Sequence, residues 1–457
     1  MRRLVCQWLA ISSVLAGAIV ARAETRPQYG GTLHVAMRAA PSSLDPGDPS
    51  QADSFARRTI TSLLFDNLVT IDQNGRAIRV LAQTWQAARG SQRLQFRLRG
   101  GVRFQDGTLL NADTAASSLR RVNPSWNIVA EGDSVGIDNG KPEAELLQEL
   151  ALPRNAIVKR DSEDKMSGTG PFQIEEWQAG RQLILVADEQ CWRGRPFLDG
   201  VEIELGMGFR DQMTALETGK ADLVEVAPEQ TSRISQERFR VARSIPVELL
   251  ALVFTREASS EQETTLRQAL RFSMERSSMH SVLLQGAGQA TGALLPTWMS
   301  GYGFVFPTDV DLARARQLRE QVKTAPAWTL GYENTDPLAR LLADRAGLNA
   351  RDAGLSLRPT PSGNADLRLT RIPLASSDPW IALNELLAQL GLPTGQSKGR
   401  AIEDLYATEQ AVLTSGRVIP LFHLPASYAS ASGVKSWVIR GDGSLDLSNA
   451  WMKSGQP

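Results

Sequence analysis

The chain of 457 residues contains only two cysteines and three histidines, and this scarcity excludes several kinds of site. Cys6 lies in an N-terminal apolar run, so Cys191 would be the single cysteine of a processed chain and could form no internal disulfide. Its place between a strand-like run and a turn favours a packed apolar residue over a reactive thiol. His34, His280 and His423 lack the i, i+4 spacing of a helical zinc pair. We expect neither a metal nor a cofactor, although carboxylates from distant segments could still hold a metal.

The sequence also lacks a charge imbalance, with 50 basic and 50 acidic side chains. A chain with no excess of either sign has no electrostatic reason to bind nucleic acid or an anionic membrane surface. We therefore expect no nucleic-acid partner.

The first 23 residues, MRRLVCQWLAISSVLAGAIVARA, have the basic start, apolar run and small-residue end of a secretory signal peptide. We expect cleavage after Ala23, which leaves 47 basic against 50 acidic residues. A retained membrane anchor is the alternative, but the run is short for a span and contains Gln7. Ala18 stands where a lipid anchor would need a cysteine. The pattern predicts a soluble protein in the periplasm or elsewhere outside the cytoplasm.

Strand-like and helix-like patterns alternate along the rest of the chain. "GGTLHVAM" predicts a strand, residues 55–68 have apolar residues at helical spacing, and "TLGYENTDPLARLLADRAGLNARDAGLSLRPTP" repeats strand, helix and strand. Such alternation indicates an α/β fold, and the length favours two or three domains.

The stretch "RLRGGVRFQDGTLLNADTAASSLRR", residues 97–121, contains two acids that could be a working carboxylate pair. Asp106 precedes a glycine suited to a tight turn, and Asn111 can cap a helix whose first turn contains Asp113. These local duties favour structural roles for both acids. The alternating arginines before them indicate a solvated strand face.

Catalytic motifs are few. "GQSKG" at 395–399 matches a nucleophile elbow around Ser397, with His423 downstream, but the preceding residues read as a helix and a polar loop where the elbow needs a strand. "GAGQATG" at 286–292 follows a helix, so it fails the context of a dinucleotide loop and suggests a mobile loop or hinge. A glycosidase carboxylate pair cannot be chosen among fifty acids. We therefore expect no enzyme.

Several segments, in order, resemble the extracytoplasmic solute-binding proteins of ABC importers, family 5, which includes oligopeptide, dipeptide and nickel receptors. The main ones are "GGTLHVAMRAAPSSLDP", "LLFDNLVTIDQNGRAIRVLAQTWQ", "FRLRGGVRFQDGTLLNADTAASSLRRV", "GTGPFQIEEWQAGRQLILVADEQCWRGRPFLDGVEIEL" and "ALETGKADLVEV". Weaker ones are "LRQALRFSMERSSM", "DLARARQL", "VIPLFHLPASYA" and "DLSNAW". Each piece alone is weak, but the shared order across nearly the whole chain is specific.

The resemblance implies a type II periplasmic-binding-protein fold, with two lobes of mixed sheets joined by a two-segment hinge and an additional α/β domain. The first lobe would comprise residues 24–57, 168–245 and 425–457, the additional domain 58–167, and the second lobe 246–424. A ligand would be trapped between the lobes as they close.

The resemblance also implies cleft positions, and here the sequence departs from the family. Arg371-Ile372 replaces the usual Gly-Trp, and Ala375 stands where peptide-binding members have the aspartate that holds the ligand's amino terminus. Without that carboxylate a buried ammonium would be costly. The positions expected to contact ligand are Arg38, Ala40, Arg371, Asp378, Trp380, Phe422 and His423.

Among these, Arg371 is suited to a carboxylate or phosphate and Trp380 to an apolar wall, whereas His423 in "PLFHLP" is also typical of a buried core histidine. The second lobe is short for the family between Tyr302 and Ala365, which suggests either a smaller or more open pocket or a changed role.

The resemblance thus predicts a monomeric receptor that delivers a small ligand, peptide-like or other, to an inner-membrane ABC permease. A sensor or accessory protein on the same fold is one alternative, and a secreted hydrolase is another.

Overall fold

The computed structural model of the protein describes residues 26–72, 74–87, 93–234, 239–361, 363–394 and 400–453. The expected signal peptide and the 395–399 motif with Ser397 lie outside these residues. In the part of the chain that is described, no helix has both the length and the apolar composition that a membrane crossing requires.

The described strands are, in chain order, β1 (Thr32–Ala36), β2 (Val69–Ile71), β3 (Ala77–Arg79), β4 (Ala82–Ala87), β5 (Leu94–Leu98), β6 (Asn127–Glu131), β7 (Ser134–Asp138), β8 (Lys159–Arg160), β9 (Met166–Ser167), β10 (Phe172–Gln178), β11 (Gln182–Ala187), β12 (Gly200–Glu204), β13 (Leu223–Glu225), β14 (Arg240–Phe254), β15 (Gln289–Ala290), β16 (Ala327–Gly331), β17 (Ser356–Thr360), β18 (Leu367–Pro373), β19 (Val418–Ser430), β20 (Val434–Lys435), β21 (Val438–Ile439), β22 (Leu445–Asp446) and β23 (Trp451–Met452).

The described helices are α1 (Phe55–Leu64), α2 (Ala112–Val122), α3 (Glu143–Leu150), α4 (Phe209–Glu217), α5 (Thr231–Ile234), α6 (Glu261–Ser273), α7 (Arg276–Ser278), α8 (Thr297–Ser300), α9 (Leu312–Glu320), α10 (Pro337–Asp352), α11 (Pro379–Gln389) and α12 (Ile402–Thr414). Single 3₁₀ turns occur at Pro153–Asn155, Pro228–Gln230 and Gly303–Val305, and a π-helical turn at Met279–Leu283.

One mixed sheet of eleven strands runs through the molecule in the order β10-β11-β12-β1-β13-β19-β14-β18-β16-β17, with β15 beside β19. We call β10 to β13 with β1 the first half of the sheet, and β16 to β18 the second half. β14 and β19, the crossing strands, pair antiparallel and join the halves. Their ladder shifts register around Pro246, which lies opposite Pro425. Since proline has no backbone N–H, the ladder is weakest at this rung.

Separate hydrophobic clusters support the parts of the molecule. Buried residues of the first half include Leu33, Phe172, Leu185 and Ile203. The two faces of the second half bury Phe254, Trp328 and Leu342 on one side and Leu249, Trp380 and Leu387 on the other. A four-stranded sheet, β4-β5-β7-β6, packs with α2 and α3 around Phe96, Leu119 and Val135. We call this third part the small-sheet unit.

The predicted turn and cap at 97–121 are confirmed. The Asp106 carboxylate accepts hydrogen bonds from the Thr108 N–H (3.0 Å) and hydroxyl (2.6 Å) and pairs with Lys159. The Asn111 side chain accepts the Thr114 N–H at 2.9 Å and caps α2, whose first turn contains Asp113. Both acids therefore have structural duties, as expected.

Helix α1 is shorter than its apolar spacing predicted, because it ends at Leu64 and not at Leu68. The next acid, Asp66, is buried and accepts hydrogen bonds from the Thr169 hydroxyl (2.9 Å) and the Trp192 indole N–H (3.0 Å). Leu68 belongs to the core of the small-sheet unit. Asp66 and Leu68 thus contact different parts of the molecule, which a continued helix would not allow. Such tertiary contacts cannot be inferred from the spacing of apolar residues.

Gly168 permits the closest contact between α1 and the segment that follows the small-sheet unit. A Cβ at this position would lie 1.9 Å from the Leu64 carbonyl oxygen, whereas a Cβ at Gly100 would meet nothing within 4 Å.

We therefore expect Gly168→Ala to lower the free energy of unfolding by about 3 kcal/mol, since a backbone atom cannot rotate away from the added methyl group. Gly100→Ala is the matched control and should leave stability unchanged or slightly raised. Urea unfolding of both variants measures this, and equal stability of the two would contradict the packing argument.

Candidate functional site

Three cavities lie along strand β18 and the residues after it. Residues 369–371 line the first, of about 320 Å³. Arg371 and Pro373 line the second, of about 250 Å³. Residues 375–377 line the third, of about 450 Å³. We call this row of cavities the β18 trough. It lies where the sequence departs from the family pattern.

One backbone edge of β18 is open along the trough. β14 pairs with β18 from Leu367 to Pro373, but β16 pairs with it only at Leu367 and Arg368. The Leu374 N–H donates to the Val247 carbonyl, so every second residue of β18 bonds to β14. The N–H and C=O of Arg371 consequently point to the other edge, where the described strands supply no partner. An extended ligand backbone can bond there.

The Arg371 side chain is the buried centre of the trough. Its guanidinium donates to Glu248 at 3.0 Å and to Asp336 at 3.2 Å, and the three side chains are 9, 5 and 3% exposed. Burial alone would lower the pKa of Arg371, but Glu248 and Asp336 raise it above its ordinary value. Asp336 also caps α10 by accepting the N–H groups of Leu338 and Ala339. The helix end thus fixes one carboxylate and the crossing strand β14 fixes the other.

The first half of the sheet contributes the opposite wall through Arg38, in the loop after β1. Its guanidinium lies 3.2 Å from Glu333 and 3.6 Å from Glu248. The Phe209 ring lies 5.5 Å from the Arg38 guanidinium carbon and 5.6 Å from that of Arg371, so it sits beside both cations. Two guanidinium groups from opposite halves therefore meet around shared partners.

Four carboxylates near these arginines escaped the sequence reasoning: Glu225, Glu229, Glu248 and Asp336. Glu225 accepts the Arg38 N–H at 2.6 Å. Burial raises the pKa of Glu225, and burial likewise raises that of Glu229. The available signal was a single acid inside an apolar run, "LVEVA" for Glu225 and "IPVELLALVF" for Glu248, because such an acid needs a partner when buried.

The third cavity lies where three parts of the molecule meet. Its walls come from five places in the chain. They are β2 and the residue after it (70–72), α3 with the residues that follow it (148 and 151–153), β14 (243–245), the 375–377 segment with Trp298, and the 439–442 turn. The Trp298 indole N–H donates to the Pro246 carbonyl at 2.9 Å, beside the weak rung of the crossing strands. Ala375 faces this cavity, so no carboxylate is available at that position.

A comparison with protein families identifies the chain. The profile of the bacterial extracellular solute-binding proteins, family 5 (middle), matches residues 77–364. The chain belongs to this family. The resemblance seen in the sequence is thereby confirmed.

Curated relatives of this family 5 protein are distant. The probable ABC transporter periplasmic-binding protein SapA of Escherichia coli (strain K12) is 23% identical over 382 residues, 73% of this chain and 69% of that protein. The probable D,D-dipeptide-binding periplasmic protein DdpA of the same strain is 22% identical over 370 residues, 74% and 71% of the two chains. The matched part of the peptide transport periplasmic protein SapA of Salmonella typhimurium is only 58% of that protein.

Solved structures confirm the fold class predicted from the sequence. NikA from Staphylococcus aureus, in complex with Ni(L-His)2, superposes with a TM-score of 0.81 at 16% identity, covering 92% of this chain and all of that one. A dipeptide-binding protein from Pseudoalteromonas sp. SM9913, in complex with Met-Leu, gives 0.80 at 16% identity, covering 93 and 100%. The family 5 protein therefore has the two-lobed, type II α/β fold.

The structure brings three of the seven expected cleft residues together. Arg38 and Arg371 line the first two cavities, and Ala40 lines the second. The other four line none of the three cavities.

The other four have structural surroundings. Asp378 caps α11 and pairs with Arg400. Trp380 packs in the core beside β14 and β18. Phe422 is fully buried in the other cluster of the second half. The His423 Nε2 lies 3.0 Å from the Leu294 carbonyl oxygen, and burial lowers the pKa of this histidine to about 4. Their placement favours capping and packing over ligand contact. The sequence could not separate these roles, because an apolar or cap-forming residue follows the same pattern in a core and in a pocket wall.

The remaining motifs have structural explanations where they are described. The 286–292 loop, expected to be a mobile loop or hinge, packs on the crossing strand β19 through β15, where a Cβ at Gly288 would lie 2.6 Å from the His423 carbonyl oxygen. Cys191 is a free, buried thiol whose pKa burial raises, in line with a packed residue. The described residues contain no group of three side chains that could hold a metal ion.

Replacement of Arg371 by methionine should destabilise the protein strongly. The variant leaves Asp336 buried without a cation and Glu248 with only the more distant Arg38, at 3.6 Å. Breaking a buried ion pair in this way typically costs about 3–5 kcal/mol. Arg340→Met on the exposed face of α10 is the control, since a surface ion pair contributes at most about 1 kcal/mol. Urea unfolding of the two variants tests this, and a small loss at Arg371 would show that the network is not a buried ion pair in solution.

The pKa of His423 gives a pH prediction. Since the folded value is about 4 against an ordinary 6.5, the unfolded chain binds the proton first, and stability falls as pH drops from 6.5 to 4, by roughly 3 kcal/mol. In His423→Gln this part of the pH dependence should vanish, while the half-exposed His34→Gln should keep it. Unfolding free energies between pH 4 and 7.5 measure the difference, and parallel curves for wild type and His423→Gln would refute it.

Proposed function

We propose that this chain is an extracytoplasmic receptor that captures a small ligand in the β18 trough and delivers it to an inner-membrane ABC permease. The observation that carries the proposal is the open edge of β18, which runs through cavities walled by both halves of the sheet. Membership of the solute-binding family and the relatives' names, which include ABC transporter and dipeptide-binding proteins, support it.

The proposed ligand has an extended, peptide-like backbone. The Arg371 N–H and C=O offer one donor and one acceptor in the direction of the trough, the pairing that a peptide main chain satisfies. Glu248 and Asp336 already occupy the Arg371 guanidinium, so the backbone of this residue is more available to a ligand than its side chain. This differs from the carboxylate or phosphate contact expected from the sequence.

The proposed lobes are those implied by the family: a first lobe of residues 24–57, 168–245 and 425–457, an additional domain of 58–167 and a second lobe of 246–424. The boundary at 245 and 246 coincides with the register shift at Pro246. We also propose a cleaved signal peptide, a monomer and no catalytic activity. The competing functions are a sensor or accessory protein on this fold and a hydrolase using unidentified carboxylates or Ser397.

Ligand-dependent thermal stabilisation of residues 24–457 separates these functions. A receptor gains roughly 2.7 kcal/mol at about one hundred times Kd. Dipeptides, oligopeptides, sugars and metal chelates form the panel. A shift with peptides alone supports the proposal, no shift with any compound contradicts it, and turnover that Ser397→Ala abolishes would establish the hydrolase.

The missing carboxylate at Ala375 yields a gain-of-function prediction. Ala375→Asp should tighten binding of peptides with a free amino terminus by about tenfold, because a charge-assisted hydrogen bond contributes about 1.5 kcal/mol. Ala407→Asp on the exposed face of α12 makes the same change away from the trough and should have no effect. Calorimetry with free and N-acetylated peptides decides, and an equal gain for both peptides would exclude amine recognition.

A further inference from the structure

The segment from Ala293 to Ser300, here called the Trp298 segment, carries one wall of the third cavity. Its Trp298 side chain, 40% exposed, lines that cavity and bonds to the Pro246 carbonyl. The segment ends in α8, a single turn of four residues without a side-chain cap. So short a helix is not stable by itself. Contacts elsewhere must fix the position of Trp298.

Two buried side chains hold the start of this segment at one peptide position. Glu409, from α12, accepts the N–H groups of Leu294 and, at 3.1 Å, of Leu295. His423, from β19, lies with its Nε2 3.0 Å from the Leu294 carbonyl oxygen and is placed to donate to it. The two residues are 0 and 2% exposed. Leu294 is therefore bonded on both its donor and its acceptor side by titratable groups from different elements.

Glu409 is incompletely satisfied. Its Oε1 accepts both N–H groups, while its Oε2 has no hydrogen-bond partner. Burial raises the pKa of Glu409 to about 7, although the N–H groups of Leu295 and Leu294 and the nearby Tyr302 lower it. Tyr302, whose ring lies 5.5 Å from that of Tyr406, is the titratable group that faces Glu409. Among the described residues no cation approaches within ion-pairing distance.

We propose that Glu409 and His423 are positioning residues for the cavity wall, and that loss of the Glu409 proton shifts the Trp298 segment and reshapes the third cavity. An ionised carboxylate here has one charged oxygen, Oε2, with no donor at hydrogen-bonding distance, and the facing Tyr302 hydroxyl also lacks a partner. The cost falls when the segment moves so that this hydroxyl or a water molecule reaches Oε2. The inference rests on the proposed function only for its consequence, a ligand affinity that changes with pH. The movement itself is a property of the chain without ligand.

Fluorine NMR of residues 24–457 labelled with 5-fluorotryptophan tests this. The Trp298 signal is assigned by its loss in Trp298→Phe and followed from pH 5.5 to 8.5. We expect it to shift with a midpoint near pH 7 in the wild type and to stay flat in Glu409→Gln, which keeps an acceptor oxygen but does not titrate. Glu403→Gln, on the exposed side of α12, should leave the transition intact, and Trp328 in the other core should not follow it.

A Trp298 shift that persists in Glu409→Gln, or no shift in the wild type, overturns the proposal. Should Glu409→Gln fail to fold, the wild type still decides: the carbon-13 carboxyl signal of Glu409 and the fluorine signal of Trp298 must share one midpoint, and different midpoints refute the link. Since no ligand is present, these results stand or fall separately from the thermal-shift panel that tests the receptor function.

Discussion

The pairing of Arg371 with Glu248 and Asp336 organises the centre of the molecule. Each of these three buried side chains has an oppositely charged partner at hydrogen-bonding distance. Glu248 belongs to the crossing strand β14, Asp336 to the start of α10 and Arg371 to β18, so this cluster fixes these three elements relative to one another. Phe209 and Arg38 then bring the first half against the same cluster.

This cluster changes what the trough can offer a ligand. In a cleft where a free guanidinium faces the ligand, recognition rests on charge. Here the guanidinium is neutralised within the protein, and the backbone of the same residue remains open on the unpaired edge of β18. In the receptor that we propose, selectivity depends on the shape of the three cavities and on main-chain hydrogen bonds, with Ala375 leaving one of the cavities without an acidic anchor.

The sequence contained most of the architecture. The alternation of strand and helix, the turn at Asp106 and the cap at Asn111 follow from local chemistry and appear as expected. The end of α1 did not follow from local chemistry. Leu68 keeps the helical spacing, but the helix ends at Leu64, before the buried and hydrogen-bonded Asp66.

The site was harder to predict. Arg38, Ala40 and Arg371 come from a loop and a strand that the family resemblance aligns, whereas Glu225 and Glu248 become neighbours only through sheet order, which no local pattern encodes. Trp380 and Phe422 lie in core clusters and stay untested as ligand contacts, because an aromatic residue in an apolar run suits a pocket wall and a core equally well.

The rung formed by Pro246 and Pro425 gives the molecule a mechanical property. Both halves belong to one continuous sheet, so they cannot slide past each other without breaking ladder bonds along its length. Twisting the two-stranded ribbon where the prolines face each other sacrifices the fewest bonds. The pair of crossing strands is therefore easier to twist at this rung than along its regularly bonded stretches. The Trp298 indole N–H donates to the Pro246 carbonyl, so one wall of the third cavity lies beside this rung.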